Sequence, residues 1–445
     1  MKKESSTRGL KPAIVLALGF LLFAPQTPAQ ARANQQAPQA GTGHLESVTV
    51  TGSVRYSSDK IGPVVGLQAG QMVTKDDMQA AANRLAQLGP FADVQFRFSS
   101  LDEKVKVEYQ VKDSPGLSVN FDNFPWFTDE EIATALRSSI VLFDGTAPDH
   151  GTILDEMSLA LERLLMTRGV SATVTHEIVA PPPPKEGFVV LFRVEGAEVT
   201  VEGIEFSDAL AKTDHGIQDR ISDVVGKPFS RSAIELFELE QVRPVYLSHG
   251  FLRVKFGLPA ARFAGHAKNP PPNHAVVVAP VDAGPAFMWD GVTWSRNVAI
   301  SSSDLNKLVD IKQGELANGM RIEGLWNDVQ TAYGRAGYLD VNLKPVPHLD
   351  DSTKRVHYDV SITEGPQYRM GNLVLTGLSI EGERRIRAAW GIAPGEVFDE
   401  SKYEEFLDEG IKQAFLGLPV HYEKIGRYLQ KDPTTAKVDV LIDFQ

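Results

Sequence analysis

The chain has 445 residues, a formal net charge of −12, 42% hydrophobic and 23% charged residues, and no cysteine. The length calls for several domains. The acidic balance argues against nucleic acid as a partner and against electrostatic docking on anionic lipid. The missing cysteines exclude disulfides, cysteine-ligated zinc, thiol redox chemistry, a cysteine nucleophile and a lipoprotein anchor.

The N-terminus carries Lys2, Lys3, Arg8 and Lys11, then the apolar run "AIVLALGFLLFA" (13–24), then "AQA" (29–31). The run is short for a membrane span, and the small-residue triplet fits a processing site. This pattern predicts a cleaved secretory signal over 1–31, with an uncleaved anchor as the alternative, and a linker over 32–43. No later segment approaches ~18 continuous apolar residues, so no transmembrane segment is expected in the mature chain.

From there the same order of elements recurs. The opening strands are "VTVTG" (48–52), "LSVNF" (117–121), "VTVEGIEF" (199–206), "FMWDGVTW" (287–294) and "LVLTG" (373–377). Helical stripes follow. Met78, Ala81, Leu85 and Leu88 share one face, as do Met157, Leu161, Leu164 and Leu165, and again Ile322, Leu325, Trp326, Val329 and Tyr333. Thr128-x-x-Glu131 and Ser401-x-x-Glu404 read as capping boxes at helix starts. The helices end at Gly89, Gly169, Gly250, Gly337 and Gly417, separated by 80, 81, 87 and 80 residues. A fixed period with matched flanks marks a repeat, and glycine tolerates the left-handed conformation of a helix end.

Past each glycine the apolar residues alternate: Leu252, Val254 and Phe256 in one copy, Leu339, Val341 and Leu343 in another. A period of two predicts half-buried strands, over 93–98, 170–176, 251–257 and 338–344. Closing strands stand at 105–111, 188–196, 275–285, 355–366 and 437–444, set off by turns such as "PPPPKEG" (181–187) and "NPPPN" (269–273). The fold class is therefore α+β, with a β-α-α-β-β unit repeated five times over 44–116, 117–197, 198–285, 286–366 and 367–445. Units this small bury little core each and draw part of their stability from their neighbours.

The ordered set resembles the POTRA (polypeptide-transport-associated) domain, the repeat that precedes the β-barrel in outer-membrane barrel-assembly proteins and two-partner secretion transporters. The residues carrying it are Val48 to Gly52, with Val201-Glu202-Gly203 and Leu375-Thr376-Gly377; the corners Gly250-Phe251 and Gly337-Tyr338; and the closures Val194-Glu195-Gly196 and Ile362-Thr363-Glu364-Gly365-Pro366. The first and fourth units match best. In that family a barrel follows the last repeat, whereas this sequence stops at "VDVLIDFQ", so a free-standing array is expected.

No catalytic signature stands out. The histidines lack metal-ligand spacing, there is no nucleophile elbow or phosphate loop, and no enzyme activity, metal or cofactor is expected. "DEE" (129–131) and the "DD" pairs (76–77, 350–351) sit where carboxylates cap helices or face solvent. His249 reads as a helix-end residue, and the tryptophans, Trp326 first among them, as core. A small sheet leaves edge strands with unpaired backbone groups, and the resemblance implies that extended segments of unfolded outer-membrane or secreted polypeptides pair with the strand after the corner by β-augmentation. On that reading the candidate edge residues are Asp93, Gln95, Arg97, Thr173, Thr175, Arg253, Lys255, Asp340 and Asn342. The expected partners are unfolded outer-membrane proteins or an outer-membrane barrel-assembly protein, and the expected location is the periplasm, with peripheral outer-membrane association left open. The alternative is an envelope scaffold that docks on one folded partner.

Overall fold

The computed structural model describes residues 32–33, 42–181, 186–263, 273–417 and 423–445. The segment 1–31 read as a signal, most of the segment 32–43 read as a linker, and much of the two proline-rich turns lie outside the described residues. The chain forms two compact units, one ending at Ala197 and the other beginning at Glu198; each is described by itself.

The N-terminal unit holds two sheets. In the first, the strands run in the order 32–33, 91–101, 104–113, 42–51, 72–74. In the second the order is 146–147, 117–121, 189–195, 173–179. Helices 58–65 and 75–88 belong to the first sheet, and 129–139 and 153–167 to the second. Thr74 and Thr128 close capping boxes with Asp77 and Glu131. Apolar residues of both sheets, from Leu45 through Phe121 to Val194, form one continuous core. Tyr109, fully buried in it, donates its hydroxyl to the Met78 carbonyl at 3.0 Å, so the phenol costs no unsatisfied polar group.

The C-terminal unit repeats the plan three times. Its sheets run 200–206, 274–279, 260–262; then 288–295, 355–363, 342–350; then 369–376, 437–444, 425–432. In each, the opening strand lies parallel to the closing strand, which pairs antiparallel with the middle one. After the two helices the middle strand runs opposite in direction to the opening one, and the hairpin that follows returns the closing strand between them, parallel to the first and antiparallel to the second. Both the opening and the middle strand are therefore edges. The long helix 319–335 buries Ile322, Leu325, Val329 and Tyr333, the stripe read from the sequence. Trp326 packs against Trp294 at 6.1 Å and Tyr358 at 5.4 Å, and Trp289 stacks on Tyr358 at 5.7 Å. These indoles fill cores and offer no open platform.

Three sequence expectations change. Helix 400–405 starts two residues earlier than expected: Asp399, not Ser401, caps it, accepting from the Ser401 and Lys402 amides. Gly203 is not the equivalent of Gly52 and Gly377. It sits at a β-bulge between Val201 and Gly203, as Gly291 does after Trp289, and a side chain there would meet nothing within 4 Å. Third, residues 251–254 and 338–341 form turns, and the middle strands begin later, at 255 and 342.

Candidate functional site: corners and strand edges

The two turns explain the alternation that imitated a strand. In "GFLRV", Phe251 and Val254 pack on the core of their own sheet around Tyr246, while Leu252 packs on the next core, beside Phe287 and Trp289. In "GYLDV", Tyr338 and Val341 join their own core and Leu339 joins the following one around Tyr368. Apolar residues thus alternate between two cores, not between two faces of one strand.

Backbone bonds complete each joint. The Phe287 amide donates to the Gly250 carbonyl at 2.9 Å, and the Tyr368 amide to the Gly337 carbonyl at 2.7 Å. The charged residue of each corner then reaches across. Arg253 holds Asp351 with Nη1 at 3.0 and 2.9 Å and lies 5.4 Å over the Phe287 ring. Asp340 accepts from the Tyr368 hydroxyl at 2.6 Å and from Lys431. Lys431, then Tyr368, holds the Asp340 carboxyl below its ordinary range. The corner charge is positive at one joint and negative at the next, with a complementary partner each time, a sign pattern that disfavours mismatched pairing of neighbours.

Of the nine residues read as edge positions, Arg253 and Asp340 therefore lie in turns at joints. Lys255 belongs to a two-residue strand paired with Val281–Asp282, and Asn342 opens strand 342–350. Asp93, Gln95 and Arg97 lie on strand 91–101, where Asp93 accepts from Gln95 at 2.8 Å and Arg97 pairs with Glu108 at 2.8 Å. Thr173 and Thr175 lie on strand 173–179, and Thr175 donates to Glu195 at 3.2 Å.

The edges are not equal. Every opening strand is sealed over its first half by the segment between the two helices. Leu45 exchanges backbone bonds with Gln71 and Gly70, Val201 with Lys227 and Gly226, Trp289 with Glu315 and Gly314, and Met370 with Glu396 and Gly395, all at 2.7–2.9 Å. In the second sheet Leu117 and Ser118 pair with Ala147 and Thr146. A recurring sequence, "GQMVT", "GTAPD", "GKPFS", "GELAN", "GEVFD", supplies these segments and was a signal open to reading: a glycine, two variable residues, a small or apolar residue or proline, then in most copies the helix cap.

The middle strands carry the open edges. Within the described residues, 173–179, 260–262, 342–350 and 425–432 pair only with their closing strands. On 173–179 the Val174 amide donates to the Glu162 carboxylate at 2.9 Å. Alternate amides of an edge strand face the same way, so the His176 and Ile178 amides face outward too. On 425–432, Lys424 exchanges bonds with Gln445, which leaves the Arg427 and Leu429 amides outward by the same alternation. This last edge had no place in the sequence reading. Strand 342–350 differs: Pro345 and Pro347 fall at alternate positions of an unbroken ladder with 355–363. Proline has no N–H to give the ladder, so these positions face outward, where they remove the donors a further strand would need. Replacing both, Pro345→Val with Pro347→Val, is expected to make this edge self-associating. Sedimentation should then show a concentration-dependent dimer absent from the parent chain; identical profiles would refute the blocking role.

Residues 44–114 and 289–365 match the family model "POTRA: Surface antigen variable number repeat". Its relative from Treponema pallidum, described as "Putative outer membrane protein assembly factor", is 23% identical over 233 residues, which cover 50% of this chain and 27% of the relative. The match thus spans about a quarter of that protein's length. Among solved structures, BamA POTRA domains 3–5 of Haemophilus influenzae align at 15% identity, covering 56% of this chain and 96% of that one, with a TM-score of 0.44. The N-terminal domain of Omp85 from Thermosynechococcus elongatus aligns at 12% identity over 73% of this chain and 99% of that one, with a TM-score of 0.18. No helix among the described residues is long and apolar enough to cross a membrane.

Proposed function

We propose that this protein is a periplasmic POTRA array that receives extended, unfolded outer-membrane or secreted polypeptides at its open middle-strand edges and assists their assembly or transport. On this reading the repeated sheets, the third of them with a small two-stranded sheet beside it, are five domains over 44–116, 117–197, 198–285, 286–366 and 367–445, and the protein works by binding, with no catalytic step. The observation that carries the reading is the set of outward amides on strand 173–179, an edge seven residues long with no proline and no strand beside it among the described residues. Backbone pairing there offers affinity with little sequence demand, which suits clients that share a strand pattern and little else. The T. pallidum relative's description as an outer-membrane protein assembly factor supports the same direction.

Ile178 gives the test. Its amide faces outward and its side chain is 41% exposed, so Ile178→Pro removes one donor from the docking face and none from the ladder with 189–195. Binding of a fluorescent peptide of about ten residues, the length of a membrane-barrel strand, should weaken about tenfold, the equivalent of roughly one net hydrogen bond. Circular dichroism should stay unchanged. A folded variant that binds as tightly as the parent would remove this edge from the proposal. The alternative, a scaffold for one folded partner, gains support from the proline-blocked edge 342–350, which excludes strand addition while leaving the surface open to other contacts. A scaffold would ignore the peptide altogether.

A further inference from the structure

Helix 153–167 packs beside strand 173–179 and is tied to it twice. Ser158 Oγ lies 3.2 Å from His176 Nδ1, and one turn on, the Glu162 carboxylate accepts the Val174 amide at 2.9 Å. Helix and strand thus run in opposite directions, with Glu162 over the open edge. Leu159 and Met166, at i−3 and i+4, flank Glu162 on the same helix face, and they are 53% and 65% exposed. Among the described residues no lysine or arginine pairs with the Glu162 carboxylate. We propose that Glu162 is a displaceable plug and a charge selector on this edge: it holds the Val174 amide at rest and yields it to an extended strand that brings a lysine or arginine to the carboxylate and apolar residues to the helix wall. The proposal rests on the strand-addition reading and names the class of client that this edge takes.

The register follows from the amides. Residues 174, 176 and 178 turn their N–H groups outward, so an added antiparallel strand forms its hydrogen-bonded pairs with them. Directly opposite residues project to the same face, and the Val174 side chain is buried in the core that the helix covers. Client side chains opposite Val174, His176 and Ile178 therefore fall on the helix side. The carbonyl of the first takes the N–H that Glu162 gives up. The released carboxylate then lies between Leu159 and Met166, where a charge without a partner is costly. A lysine or arginine at that client position turns the cost into a charge-assisted pair; a neutral side chain leaves it standing. The next two client positions meet Leu159 and the partly exposed Ile178 and favour apolar residues. The general acidity of the chain would reward a basic residue anywhere in the client, whereas Glu162 rewards it at one position.

That difference is the test, and the absence of cysteine makes it clean. Thr175 sits between the outward-facing residues, so its partner on an added strand stands about 4.5 Å away, within reach of a disulfide. The full chain with Thr175→Cys is equilibrated in a thiol buffer with two strand peptides of about ten residues and identical composition. One reads leucine-cysteine-lysine at its centre and sets the lysine opposite Val174; the other reads lysine-cysteine-leucine and sets it opposite His176. The first should be captured about tenfold more strongly, the equivalent of one charge-assisted hydrogen bond. Adding Glu162→Gln, which keeps an acceptor for the Val174 amide and removes the charge, should bring the two within about twofold. Glu162→Lys should favour a peptide with glutamate in place of the lysine, and circular dichroism should stay unchanged for both variants. Equal capture of the two isomers by the Thr175→Cys chain would overturn charge selection while leaving strand addition in place. A preference that survives Glu162→Gln would overturn the role of Glu162. Capture of neither isomer beyond that of a proline-rich cysteine peptide would mean that strand addition fails at this edge, and the selector falls with it.

Discussion

Gly377→Ala is expected to remove most of the stability of the last sheet. Gly377 follows the opening strand 369–376 and has φ +77°, a conformation that costs an L-residue about 1–2 kcal/mol. A Cβ there would stand 1.8 Å from the Phe444 carbonyl oxygen, with the carbonyl carbon at 2.8 Å. The obstacle is backbone of the parallel partner strand 437–444, so no rotamer can relieve it. The opening and closing strands must separate at this end, near buried Ile442 and Phe444. The combined cost is about 3–5 kcal/mol, the range of core-disrupting substitutions. A domain of this size holds only about 4–12 kcal/mol in all, at 0.05–0.15 per residue. Chemical denaturation followed by Trp390 fluorescence should show an early transition for this sheet. Gly203→Ala is the control, because nothing lies within 4 Å of its added methyl; a change near 0.5 kcal/mol or less is expected there, as for a surface substitution. Equal effects of the two substitutions would show that the strand-end contact is not what this glycine serves.

The second large effect is at a joint. Gly337 has φ +84°, and a Cβ would come within 2.8 Å of both the Tyr368 carbonyl oxygen and Val397 Cγ1. Its own carbonyl accepts the Tyr368 amide. Gly337→Ala therefore adds the left-handed penalty to a wedge driven between two sheets, about 2–4 kcal/mol together. The expected outcome differs from that of Gly377→Ala. The fourth and fifth cores stay intact while the contacts of Leu339 and of the Asp340–Lys431 pair loosen. Hydrogen exchange at the Tyr368 amide should accelerate strongly while protection within strands 355–363 and 437–444 persists. Unchanged exchange at Tyr368 would mean that the corner glycine ends its helix and does nothing for the neighbour.

These two glycines mark where sequence reading reached and where it stopped. The spacing of Gly89, Gly169, Gly250, Gly337 and Gly417 identified a repeat, and the helix stripe ending at Tyr333 and the closing strands read at 105–111 and 437–444 were legible because helix and half-buried strand leave periods of their own. The glycine was read as a helix end. That the Tyr368 amide, just before the next sheet's opening strand, donates to its carbonyl could not be read, since the constraint comes from atoms some thirty residues away in sequence. The corner "G-aromatic-Leu-charge-Val" failed for the same reason. Its apolar residues alternate, and a strand and a turn shared between two cores produce the same pattern in one dimension.

Composition, the absence of cysteine, the α+β class and the recurring unit belong to the sequence by itself, because they depend on residue type and local period. Which edges are open was decided only by tertiary structure. Pro345 and Pro347 were visible in the sequence, but their blocking effect depends on the ladder register that turns their nitrogens outward. Arg253 and Asp340 were visible as charges, but their partners Asp351 and Lys431 come from the next sheet. The strand over 91–101 was foreseen as an edge over 93–98, and the pairing of Arg32 and Ala33 with Gln95 and Phe96 was not. Backbone hydrogen bonding demands only an unpaired edge and a reachable strand, and it leaves almost no mark on side-chain sequence.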